Sequence, residues 1–144
     1  IGRCKYANGD VYAGEWKDDK RWGRGVQTTA EGARYEGEWE QDKRHGKGIE
    51  TFADGDPTNV LGESRFVGTF RDGGRYGQGT CEFHNGDVYE GNWKGNVRQG
   101  EGVMNYGDGG MYEGQWEDNQ RAGHGDWTSA DGGTYTGHWL ADKR

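Results

Sequence analysis

The chain has 144 residues and a formal net charge of −7, with only 15 Leu, Ile, Val and Phe residues against 30 glycines, 19 aromatics and one proline. So few aliphatics exclude a large closed enzyme with a deep dry pocket, and the acidic balance argues against general nucleic-acid binding, which draws on phosphate neutralisation by Lys and Arg. The aromatic count argues equally against a solvated tail, so one domain without a thick aliphatic core is expected.

Self-similarity organises the chain. Residues 1–11 read as the end of a repeat and close on the turn Asn8-Gly9. From there an aromatic, a glycine two residues later and an aromatic two after that recur as Tyr12-Gly14-Trp16, Tyr35-Gly37-Trp39, Phe66-Gly68-Phe70, Tyr89-Gly91-Trp93, Tyr112-Gly114-Trp116 and Tyr135-Gly137-Trp139. The units run 12–34, 35–65, 66–88, 89–111 and 112–134, with a partial unit at 135–144. Their period is 23 residues, and 31 in the second unit, which carries an insertion around 55–63. Beginning and ending in mid-repeat, with no initiator Met, the chain is expected to be a piece of a longer one.

With the first aromatic as position 1, glycines hold positions 12, 14 and 21, and an arginine holds position 10 of every full unit. Asn-Gly or Asp-Gly at positions 20 and 21 (Asn8-Gly9, Asp54-Gly55, Asn85-Gly86, Asp108-Gly109, Asp131-Gly132) predicts a tight hairpin whose central residues have positive φ. A second turn falls at positions 7 and 8, from Asp18-Asp19 to Ala141-Asp142. Two turns per unit mean two strands per unit. Alternation within them puts aromatics and glycines on one face and charged residues on the other. The expected fold class is all-β, an elongated antiparallel hairpin array in which ring burial replaces an aliphatic core.

The pattern Tyr-x-Gly-x-Trp, then Arg-x-Gly-x-Gly, at a 23-residue period resembles the MORN repeat over essentially the whole chain. That resemblance implies a single-layer sheet with a curved aromatic groove. It also implies a non-catalytic scaffold or interaction module in a cytoskeletal, flagellar or membrane-associated cytoplasmic assembly, or an accessory part of a larger enzyme. Phe66, Phe70 and the long second unit depart from the pattern at one junction, where regular stacking is expected to suffer.

The rings Tyr12, Trp16, Tyr35, Trp39, Phe66, Phe70, Tyr89, Trp93, Tyr112, Trp116, Tyr135 and Trp139 are the candidate partner-binding residues, lining a groove unless they fill it themselves. Arg21, Arg44, Arg75, Arg98 and Arg121, with Lys20, Arg24, Lys43, Lys47, Lys143 and Arg144, are expected along one rim. There they pair across strands or dock onto anionic phospholipid, and an exposed one such as Arg98 should matter little for stability. Carboxylates at positions 2 and 4 recur in most units and read as a solvated face. The expected partners are a protein segment, a second copy of the chain or an anionic phospholipid surface, and no nucleic acid.

No catalytic residue, metal ligand or cofactor is assigned. Gly23-Arg24-Gly25 and its equivalents lack the strand-to-helix context of a dinucleotide fingerprint, and Ser64 and Ser129 lie in no nucleophile elbow. His45, His84, His124 and His138 fall at four different repeat positions and are not expected to line up as ligands. Residues 54–59 fail the calcium-loop template, with Asn59 where glycine belongs. Cys4 and Cys81 both hold position 16, about six strands or roughly 29 Å apart, beyond disulfide reach. Any crosslink through Cys81 would have to join two chains.

Overall fold

The computed structural model describes residues 2–53, 59 and 61–144. The Asp54-Gly55 turn and the stretch compared with a calcium loop, Asn59 apart, lie outside the described residues. The strands are β1 (Gly2–Lys5), β2 (Val11–Lys17), β3 (Lys20–Thr28), β4 (Arg34–Glu40), β5 (Lys43–Thr51), β6 (Glu63–Arg71), β7 (Gly74–Phe83), β8 (Val88–Lys94), β9 (Val97–Asn105), β10 (Met111–Glu117), β11 (Gln120–Thr128) and β12 (Thr134–Trp139). They form one 12-stranded antiparallel sheet in chain order. The accessible surface is 8390 Å², above the about 7,400 Å² of a compact chain of this mass. An extended single layer accounts for the excess.

The turns reverse the expectation about positive φ. At positions 7 and 8 both residues are left-handed, as at Asp18 (φ 53°) and Asp19 (φ 64°), the two-residue geometry whose twist suits paired strands. In the Asn-Gly turns only the glycine is left-handed, for example Gly9 at 96° and Gly86 at 95°. There Tyr6 N–H donates to Asp10 O and Gly9 N–H to Tyr6 O, closing a three-residue loop. Asn8 serves a different purpose from the expected one: its Oδ1 accepts the Asp10 N–H at 3.0 Å, as Asn85 does from Asp87.

The first hairpins slip register between Gly14 and Trp16 and at the equivalent points, and β6–β7 slips a second time between Glu63 and Arg65. The bulge holds the position-12 glycine, left-handed at Gly23 (69°) and Gly46 (69°). The position-4 side chain then takes the next backbone donor. Glu15 Oε2 accepts from Arg24 N–H at 2.6 Å, Glu38 from Lys47 at 2.6 Å and Gln115 from His124 at 2.9 Å. These position-4 side chains, expected to be merely solvated, therefore satisfy the bulge.

On the ring face two glycines meet directly, as Gly14 with Gly25 and Gly91 with Gly102, and a tyrosine lies flat over the pair. A Cβ on Gly25 would stand 2.1 Å from the Tyr12 hydroxyl, and one on Gly102 2.2 Å from that of Tyr89. No side chain fits there. Gly102→Ala should therefore cost at least about 3 kcal/mol or prevent folding, since the buried ring has nowhere to go. Gly74→Ala, whose Cβ would meet nothing nearer than Asn96 at 3.6 Å, should cost less than about 1 kcal/mol. Urea melts of the two variants check the contrast, and equal losses would contradict it.

Candidate functional site

The twelve repeat rings are joined in one zigzag: Trp16, Tyr12, Trp39, Tyr35, Phe70, Phe66, Trp93, Tyr89, Trp116, Tyr112, Trp139, Tyr135. Successive centroids lie 5.1–5.4 Å apart with ring planes near perpendicular. This is the edge-to-face arrangement that the ring quadrupole favours. Each tyrosine hydroxyl donates to the position-4 carbonyl, as Tyr12 to Glu15 O at 2.9 Å and Tyr89 to Asn92 O at 2.9 Å. Four indoles donate back to the glycine of the preceding unit, Trp39 to Gly25 O, Trp93 to Gly79 O, Trp116 to Gly102 O and Trp139 to Gly125 O, at 3.1–3.3 Å. Phe66 and Phe70 continue the ladder without a break, so stacking does not suffer at the junction as expected.

The open aromatic groove is corrected by burial. Ten of the twelve rings are at most 5% exposed, and Trp16 and Tyr135 are partly buried against them. The rings fill the concavity themselves, because each unit's tyrosine sits under the next unit's tryptophan.

The basic rim is corrected too. The position-10 guanidiniums lie over the rings: Arg21 is 4.5 Å from the Trp39 centroid, Arg75 is 4.4 Å from Phe66, Arg98 is 4.9 Å from Trp116 and Arg121 is 4.7 Å from Trp139. Arg44 covers Tyr35 at 5.4 Å. Their donors are engaged by the next unit's turn. Arg98 gives Nε to Asn119 Oδ1 and Nη2 to Asn119 O, while Arg21 and Arg121 do the same with Asp42 and Asp142. The Arg21 contacts hold the Asp42 carboxyl below the usual range. Arg24 and Lys47 belong instead to the opposite face, where they are exposed.

At the junction the turn residue at position 8 is Gly73, which has no side chain to receive an arginine. Arg44 bonds Glu50 at 2.5 Å instead. Arg75 bonds Glu50 at 2.9 Å and takes Glu63 with two nitrogens, at 2.7 and 3.0 Å. Both carboxylates are buried or nearly so, with Arg75 itself 4% exposed. Burial alone would lower the Arg75 pKa, but the hydrogen bonds and charges of Glu63 and Glu50 outweigh it and raise it. Cys81 Sγ sits 3.5 Å from Glu63 Oε2 in the same cluster. Burial, with Glu63 beside it, pushes that thiol far up, and a fully buried sulfur cannot meet another chain's cysteine. Cys4 and Cys81 are both free thiols. Glu50 and Glu63 escaped the sequence reading. The signal for Glu50 was a carboxylate on the aromatic face at position 16, where other units carry Gln27, Cys81, Met104 or Trp127, whereas Glu63 lies in the longer part of the second unit and has no counterpart elsewhere.

The sheet face away from the rings is open. Ala13, Val26, Glu36, Ile49 and Val67 form a cross-strand row there. Beside it runs a groove of about 460 Å³ lined by Arg24, Glu36, Lys47, Ile49, Val67 and Thr69. The histidine expectation also changes on this face: positions 13 and 4 are register partners, so His124 and His138 stand opposite each other. His45 lies instead 3.4 Å from Glu40.

A family model described as MORN repeat matches residues 12–34, 35–56, 66–88, 89–111 and 112–134, together more than half of the chain. Comparison with curated proteins gave no match.

Arg75→Ala should cost about 3–5 kcal/mol, because it strands the buried Glu63 and leaves Glu50 with Arg44 alone. Arg98→Ala should cost about 1–2 kcal/mol through its lost stacking and turn contacts, rather than the little expected of an exposed rim residue. Denaturant melts decide both, and an unchanged Arg98→Ala melt would contradict the stacking role. The tyrosines add a pH effect. Burial raises the phenols of Tyr35, Tyr89 and Tyr112, the last to about 12. The folded value exceeds the unfolded one of about 10, so this stability is complete below about pH 10 and is lost as pH rises through the folded values. Phenolate absorbance from these rings should emerge together with loss of the sheet circular-dichroism signal. Full phenolate absorbance with the sheet intact would refute it.

Proposed function

The chain belongs to the MORN repeat family, whose repeats are interaction modules, and on that premise we propose that it is a non-catalytic scaffold. It receives a segment of a protein partner on the sheet face opposite the ring ladder. The observation that carries this reading is the open groove between Arg24 and Lys47, floored by the half-buried Ile49 and Val67. Apolar floor and basic flanks suit an extended or helical segment with an apolar side chain and acidic neighbours. The closed ring face supports the same assignment, because it makes the array self-sufficient and leaves the partner only the other side. A cytoskeletal, flagellar or membrane-associated setting in the cytoplasm is part of the same proposal and rests on the family resemblance rather than on any one residue. Catalysis in a parent polypeptide would belong to residues outside this array. Docking onto anionic phospholipid keeps only the scattered exposed cations, since the position-10 arginines are engaged with rings and turns.

Peptides selected from a random display library should be enriched in acidic and apolar residues and should lose binding to Val67→Asp. That substitution points into the groove and should leave melting within about 1 kcal/mol of the parent. Peptides that bind the variant equally well would refute the groove. Cosedimentation with phosphatidylserine vesicles at physiological salt, undiminished by Val67→Asp, would favour the lipid reading instead.

A further inference from the structure

His124 on β11 and His138 on β12 are direct register partners, with ring centroids 5.2 Å apart and planes at 86°. Hydrogen-bonded and non-hydrogen-bonded pairs alternate along antiparallel strands. Counting from Ser129, whose N–H donates to Gly133 O at 2.7 Å, the two histidines fall on a non-hydrogen-bonded pair, where opposed side chains come closest. Both are exposed, so burial does not drive them together. Nor does the repeat require them. The same register position holds Arg24 with Glu38, Lys47 with Thr69, Gln78 with Asn92 and Glu101 with Gln115.

A second observation points to a cation. On the same face Glu113 and Asp126 are directly opposed, a like-charge pair that costs stability unless a positive charge lies near. Asp126 is two residues from His124 on one strand and so shares its face. Glu101, opposite Gln115, adds a third exposed carboxylate to this end of the sheet. The two imidazoles therefore sit in a negative field that concentrates dications.

The geometry points to His124 and His138 as a two-imidazole site for a divalent first-row transition metal of the Zn²⁺, Ni²⁺ and Cu²⁺ class. Metal–nitrogen bonds of about 2.0–2.1 Å at a roughly tetrahedral angle place two imidazole centroids roughly 5 Å apart, matching the separation of these rings. Rotation of each exposed ring turns a nitrogen toward the ion. Water completes the coordination, since no group of three His, Cys, Asp or Glu is arranged to hold a metal among the described residues. Neutral imidazole suits these ions, whereas Ca²⁺ and Mg²⁺ require oxygen ligands. The bound ion ties β11 to β12 across their exposed face.

Calorimetric titration of the metal-free chain with ZnCl₂ and NiCl₂ tests the site. One equivalent should bind at about pH 7.5 and be lost at about pH 5, where protons compete for the ring nitrogens. His124→Asn and His138→Asn should each weaken binding roughly tenfold or more by removing one of two ligands. His45→Asn and His84→Asn should bind as the parent does. Melting in EDTA verifies that the variants fold, and added metal should raise the parent's melting temperature, because the unfolded chain has no paired site. Undiminished binding in either His124→Asn or His138→Asn overturns the proposal. So does an equal response to CaCl₂, which would make the acidic patch the site.

Discussion

The constraint on which the fold rests is the contact between a flat aromatic ring and a pair of opposed glycines. Glycine weakens a strand, because it loses the most backbone freedom on folding and brings no side chain to pack. Here that loss is offset by letting Tyr12, Tyr35, Phe66, Tyr89 and Tyr112 lie directly on the backbone of their own hairpin. A ring in that position is buried within one layer of sheet, and it offers its edge and face to the tryptophan or phenylalanine of the next unit. The same contact thus makes the core of one unit and the interface between two. An array built this way needs no second layer, which explains how so few aliphatics suffice.

The arginines complete that contact on its outer side. A guanidinium over the ring ladder gains from the ring quadrupole and sheds water poorly compensated elsewhere, provided its N–H groups find acceptors. The Asx residue at position 8 supplies them, through Asp42, Asn119 and Asp142. Where Gly73 removes that acceptor, Glu50 receives Arg44 instead, while Arg75 keeps Asn96 for its backbone N–H and gives its guanidinium to Glu50 and Glu63. The Arg44–Glu50 bond is therefore a local repair of the repeat, to which Arg75 and Glu63 add a buried ion pair. That pair also accounts for the inertness of Cys81, whose sulfur is enclosed by the same carboxylate.

Much of this was legible in the sequence, because the repeated residues are those whose chemistry is fixed by close backbone approach. The aromatic and glycine spacing gave strands, faces and unit boundaries, since period-2 alternation and turn residues act locally. What it could not give was the depth of the face. Whether Trp93 closes over Phe66 or leaves a groove depends on the curvature of the sheet, and no pattern of one strand encodes that. The arginines were misplaced for a related reason: a charged residue at a regular position reads as rim until the ring beneath it is seen. The histidine pair was missed because positions 13 and 4 look unrelated along the chain. Only the unbroken register that the Asp131-Gly132 turn sets between β11 and β12 reveals that they meet.

The division of positions within the repeat then bears on where function can lie. Positions 1, 3, 5, 10, 12 and 14 are nearly constant from unit to unit, and each is committed to rings, glycine contacts or arginine caps. Changing any of them changes the fold before it changes a binding surface. Positions 2, 4, 13 and 15 vary along one chain from Arg24 and Ile49 to Glu101 and His124, yet they all project from the same open face. Their backbone is held rigid by the ladder behind it. Side chains at positions 2, 13 and 15 can be exchanged at little cost in stability, so that face presents a different chemistry along its length: apolar and basic around Val67, acidic and imidazole-bearing around His138. An array whose core occupies one side of a single sheet thus keeps its variable chemistry on the other side, in the order of its units.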